Sequence, residues 1–215
     1  AQLIVKQSGH LPQIVTTGYT IEYSIPGNTY SVGKTNFWTY AQALFALPNP
    51  LPPNIGLTGK GLTGNMDISN NGFKAVGIPN TPFIDSDLIN ERPFQLFHLI
   101  AKSGGNTVTF TDNVIPVSNE VNCVQSGCHS SEQNIKNEHP EVPGFKLNSA
   151  ELCARCHASN ALGTQGDSIA KSFSYRMHEK HHDIQPVNGI ETCYKCHPGT
   201  NTQCFRDIMR TQGNM

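Results

Sequence analysis

Apolar and polar residues alternate over Thr17 to Ser24, which places Tyr19, Ile21 and Tyr23 on one face of a predicted strand. Val108-Thr109-Phe110 alternates in the same way, and Asn71-Gly72 is a hairpin signal between Met66-Asp67-Ile68 and Phe73-Lys74-Ala75-Val76. One helix is predicted from Phe37 to Phe45, where Trp38, Ala41 and Phe45 share a face before Pro48, Pro50, Pro52 and Pro53 stop it. The stretch Gly56 to Gly61 reads as a turn, because the spacing and Lys-Ser/Thr ending of a phosphate loop are absent. Short strands with Gly- and Pro-rich turns predict a β-rich, sandwich-like domain over residues 1–118.

Residues 119–215 carry too few aliphatics for an ordinary core. Only short helices are expected there. Asn148, with Glu151 three residues later, is read as the cap of a turn leading into Cys153 to His157, and Asp167 as the cap of a longer helix running through His182. Composition steps at the same boundary: residues 1–118 contain no Cys and two His, whereas 119–215 hold all seven Cys and seven of the nine His.

The Cys and His residues fall into three motifs: Cys123-Val-Gln-Ser-Gly-Cys128-His129, Cys153-Ala-Arg-Cys156-His157 and Cys193-Tyr-Lys-Cys196-His197. The second and third match C-x-x-C-H, the c-type haem attachment pattern, and the first is a variant stretched by two residues. The chemistry explains the spacing. Two thiols bond the haem vinyl groups as thioethers, and the adjacent His becomes the proximal iron ligand. Zinc would call for paired C-x-x-C units closing a tetrahedral site, in which the recurring trailing His has no set role. The motifs therefore predict three haem c groups attached through Cys123, Cys128, Cys153, Cys156, Cys193 and Cys196, with His129, His157 and His197 on the irons. Haem would also supply the apolar mass that this half lacks.

Six further His are candidates for the distal positions. The segment Tyr175 to His182 holds three of them, and ligands three or four residues apart on a helix sit on successive turns, so His178 and His181 are chosen to reach two different irons. His182 competes with His181. His139 is the third choice. His98, in the strand-like run Phe94 to Ile100, reads as a satisfied structural His, and nothing local argues for His10. Met177 and Met209 rank below the spare His as ligands, and Cys204 has no obvious partner.

With these motifs and the His cluster in place, the chain resembles the exported multihaem c-type cytochromes of anaerobic, metal-respiring bacteria, some of which polymerise. The resemblance is carried by Cys153 to His157, by Cys193 to His197 and by Met177-His178 with His181 and His182; over the first half it is only general. It implies His129, His157 and His197 as proximal ligands, favours His178 and His181 as distal ones, and fits His139, although Pro140 restricts the backbone beside it. Relatives often carry a further motif after a stretch like Gln203 to Asp207, so a short or truncated relative is expected.

Charge and hydropathy narrow the role. The net charge of −1 over 215 residues offers no basic field for nucleic acid, and no run approaches the apolar length of a membrane helix. Because c-type haems are attached after export, the chain is expected to be the mature or trimmed form of a periplasmic, outer-surface or extracellular protein. The reading is an electron carrier and not an enzyme, its partners being other redox proteins or cytochromes. A subunit of a polymeric cytochrome filament is the alternative, followed by a multihaem reductase with one open iron.

Overall fold

A computed structural model describes residues 1–92, 94–117, 129–139, 142–149, 151–159 and 163–184. They fall into two compact units. Residues 1–38 and 51–117 form the first, and residues 39–50 join the described residues from 129 onward in the second.

The first unit is β-rich. The strands are β1 (Ile4–Val5), β2 (Gln13–Ile14), β3 (Thr20–Ser24), β4 (Gly64–Asn65), β5 (Asp67–Ser69), β6 (Gly72–Lys74), β7 (Phe94–Ser103) and β8 (Asn106–Pro116). An antiparallel sheet in the order β4-β3-β7-β8 is its frame, and β1-β2 and β5-β6 are separate two-stranded ribbons. Strands β7 and β8 are joined by Gly104-Gly105, both at positive φ (57° and 84°), the geometry that a two-residue turn needs to follow the sheet's twist.

The alternation expected around β3 is realised: Ile21 and Tyr23 are buried. They pack with Leu99 and Ala101 of β7 and with Phe73 of β6, so the β5-β6 ribbon lies against the sheet. Full burial of each large side chain contributes about 1.5–3 kcal/mol. The hairpin at β5-β6 forms one residue earlier than its sequence signal. Ser69 pairs with Gly72, so the loop is Asn70-Asn71 and Gly72 already belongs to the strand. On β8 the alternation locates a strand but not a buried face, since Val108 and Phe110 are both exposed.

Between the strands lies a buried polar cluster. Lys34 has a fully enclosed side chain, and its Nζ donates to Asn28 Oδ1 at 2.7 Å, Phe83 O at 3.2 Å and Asp85 Oδ1 at 2.5 Å. Asn28 Nδ2 donates in turn to Thr81 O at 3.0 Å and Gln95 Oε1 at 3.0 Å, and Gln95 Nε2 to Thr81 O at 2.7 Å. Burial alone would lift the Asp85 carboxyl; hydrogen bonds from Lys34 and from the Thr29 hydroxyl and N–H outweigh it and hold the group below the usual carboxylate range. The cluster ties loops far apart in sequence to β7 and leaves these buried polar groups hydrogen-bonded.

Helix α1 (Phe37–Leu44) starts where Thr35 Oγ1 accepts from Phe37 N at 3.3 Å, and it buries Ala41. In the second unit α2 (Glu132–Lys136) is capped by Ser131, and α3 (Phe173–Lys180) by Ser172, whose hydroxyl accepts from Tyr175 N. Helix α3 thus begins six residues after Asp167, the expected cap. Asp167 instead closes its own turn, accepting from Ile169 N at 2.9 Å. No described helix is long and apolar enough to cross a membrane.

Candidate functional site: two histidine pairs in the second unit

The motif Cys153-Ala-Arg-Cys156-His157 folds as a 3-10 turn over Cys153–Arg155, with Cys156 N and His157 N both donating to Cys153 O. In a 3-10 turn side chains at i and i+3 eclipse, so Cys153 and Cys156 present unbridged thiols to one side. The turn has no side-chain cap from Asn148. Glu151 faces into it, pairing with Arg155 Nη2 at 2.6 Å and accepting from Lys146 N at 3.1 Å. Burial favours the neutral acid, but these bonds override it and depress the Glu151 carboxyl.

A second loop clamps the turn from the other side. Asp167 N donates to Cys156 O at 2.7 Å, and Gly166, at φ +67°, passes so close that a Cβ there would stand 2.4 Å from Ala158 N. Although the Cys153 side chain reaches the surface, desolvation by the surrounding protein pushes its thiol up, with the Glu151 charge adding to the effect. A redox dithiol needs the opposite, a nucleophilic Cys with a lowered pKa.

Four His rings meet in two pairs. His129 and His181 have ring centroids 6.0 Å apart with planes at 82°, and His139 and His157 are 6.4 Å apart at 74°. Each pair joins a His that follows a Cys with a His lying elsewhere in the chain. Aromatic rings flank the second pair: Phe145 stacks on His139 at 4.9 Å, and Phe173 meets His157 edge-on at 6.3 Å. Sequence spacing could not show which His meets which, nor these two Phe.

Nδ1 contacts identify the proton-bearing nitrogen of several of these rings. Nδ1 of His157 lies 2.7 Å from Lys171 O, that of His181 2.6 Å from Met177 O, and that of His178 2.8 Å from Ser174 O. A carbonyl oxygen only accepts, so these Nδ1 atoms carry the proton and Nε2 keeps the lone pair that binds a metal. Nδ1 of His129 faces Asn134 Oδ1 at 2.9 Å. Nδ1 of His139 is buried and has no hydrogen-bond partner among the described residues.

His181 and His182 separate clearly. His181 caps α3 and faces His129, whereas His182 Nε2 lies 3.0 Å from Asp183 Oδ1. His98 is satisfied by Asp112, 2.6 Å from its Nδ1, beside a cleft of about 360 Å³ on the outer face of the sheet. Glu22, which also lines the cleft, is paired with Lys102 at 2.6 Å. His10 lies in an exposed turn. Cys123, Cys128, Cys193, Cys196, His197, Cys204 and Met209 lie outside the described residues.

Among the described residues no three His, Cys, Asp or Glu converge on one point, so what the fold assembles here are pairs. Comparison with family models, with curated proteins and with solved structures returns no match to this chain.

Proposed function

We propose that the chain is an exported electron carrier holding three covalently attached haem c groups, each iron ligated by two His. The observation that carries this reading is the spacing of the two His pairs. An imidazole–metal bond is about 2 Å long. A ring nitrogen lies about 1.1 Å from the centroid of a five-membered ring with bonds of about 1.33 Å, so two rings sharing one iron have centroids about 6.3 Å apart. The pairs at 6.0 and 6.4 Å fit that requirement, and both include a His that directly follows a motif Cys.

The residues divide the work. Cys153 and Cys156 would tether one haem, with His157 and His139 as its iron ligands. Cys123 and Cys128 would tether another, with His129 and His181. His178, three residues before His181, would serve the third group together with His197, with Cys193 and Cys196 as its tethers. A bound haem supplies reversible one-electron exchange. If each iron takes two His of this chain, a bound haem would exchange electrons without binding a substrate, which favours a carrier over a reductase. Phe145 and Phe173 pack against the His139 and His157 rings. The short helices and coil of the second unit take haem as their missing core, and other cytochromes are the natural partners.

The test combines intact mass with carbon monoxide. Protein matured with its haems should exceed the polypeptide mass by three haem groups, and its reduced form should leave carbon monoxide unbound. Stoichiometric carbon monoxide binding would mean an open or labile axial position and would refute the bis-His assignment.

A further inference from the structure

We infer that Asn134 is a positioning residue for His129, and that unequal Nδ1 contacts place the His129/His181 iron at a lower reduction potential than the His139/His157 iron. The inference rests on the bis-His reading above and extends it to how the sites are ranked.

Three of the four paired rings have an acceptor on Nδ1, and only one of these acceptors is a side chain. His181 and His157 use backbone carbonyls of Met177 and Lys171, which no substitution at those positions removes. His129 uses Asn134 Oδ1 at 2.9 Å. Helix α2 puts that amide in place: the Ser131 hydroxyl caps α2 by accepting from Asn134 N at 3.2 Å, five residues beyond the ring that the Asn134 side chain meets. The orientation of the amide follows from ligation. Were Asn134 Nδ2 to face the ring, Nδ1 would have to accept, the proton would move to Nε2, and His129 could not bind iron.

An acceptor on Nδ1–H makes the imidazole a stronger electron donor through Nε2, which favours the oxidised iron and lowers its potential. The His129/His181 pair has such an acceptor on both rings. In the other pair only His157 does; His139 Nδ1 is buried, stacked against Phe145 and without a partner among the described residues. That pair is the weaker donor set, so its iron is the easier to reduce. Of these two sites, the one tethered by Cys153 and Cys156 therefore takes an electron first.

Potentiometric titration of the haem-loaded protein tests this. His181→Met and His139→Met each raise one step, because thioether ligation raises potential, and so identify the two sites. The His181-linked step is expected below the His139-linked one. Asn134→Leu removes the acceptor and should raise the His129/His181 step. Asn134→Asp puts a charged acceptor in its place and should lower the same step. An outer-shell change of tenfold in the one-electron equilibrium corresponds to about 59 mV. Loss of local structure alone would not move one step in opposite directions with the two substitutions. Shifts of the same sign, no shift, or the reverse order of the two steps in a protein that stays low-spin would overturn the inference and leave the bis-His reading standing. Carbon monoxide binding to the unsubstituted protein would instead bring down both.

Discussion

Replacing Lys34 by Met should destabilise the first unit by about 3 kcal/mol. The side chain is fully enclosed, and its removal orphans Asn28 Oδ1, which sits in a residue only 1% exposed. An abandoned buried acceptor costs about 1–3 kcal/mol. Breaking a buried ion pair by deleting one partner costs about 3–5 kcal/mol, but Asp85 is 28% exposed and recovers part of its hydration, which places the total at the lower end of that range. For a unit of this size each kcal/mol lowers Tm by about 4–8 °C, so a fall of roughly 12–24 °C is expected. Circular dichroism of the strand signal during heating, in the haem-loaded protein, measures it. The double variant Lys34→Met with Asp85→Leu should recover part of the loss, since an apolar replacement of both partners leaves no stranded charge. A fall under about 3 °C, or a double variant no better than the sum of the singles, would refute the view that Lys34 is needed to satisfy its buried neighbours.

Other outcomes follow from the same geometry. Asp85 and Glu151 are both held below their ordinary carboxylate values, so each contributes stability fully present above the unfolded-state pKa and lost as pH falls through the folded one. Acid titration should therefore lower the stability of the protein below about pH 4, and Lys34→Met should flatten the Asp85 share of that dependence. Gly166→Val forces a side chain into a left-handed conformation against Ala158 N; a loss of at least about 1–2 kcal/mol is expected by thermal melting and, under the proposed function, a lower yield of haem at Cys153 and Cys156 by intact mass. The ring planes of the two His pairs stand at 82° and 74°, so under the proposed function the ferric EPR spectrum should show strongly anisotropic low-spin signals; a spectrum of only weakly anisotropic signals would contradict those angles.

What could be read from the chain was what depends on local periodicity. Tyr19, Ile21 and Tyr23 announce β3 because one face of a strand must be apolar every second residue, and α1 announces itself by the spacing of Trp38 and Ala41. The Lys34 cluster could not be read, since Asn28, Lys34, Asp85 and Gln95 look like solvated polar residues until the fold encloses them. Asp167 and Ser172 are both good caps by sequence, and only the hydrogen bond from Asp167 N to the Cys156 carbonyl assigns Asp167 to the loop and the start of α3 to Ser172. For the candidate site, motif spacing proposes the attachment residues and histidine density proposes the donors. Pairing was beyond it: nothing in the order of His129, His139, His157 and His181 says that the outer two meet each other and the inner two do likewise.

Helix α3 has only eight residues, too few to persist by itself in water. Its C-terminal cap is His181, and His178 lies within it, so under the proposed function the same two turns of backbone are fastened at two irons. Maturation and folding then become one process: the first group to be inserted makes the helix worth forming, and the formed helix delivers the next ligand already in position. A chain in which one of these groups failed to attach would hold the second less firmly, so under the proposed function partly loaded protein should be scarce.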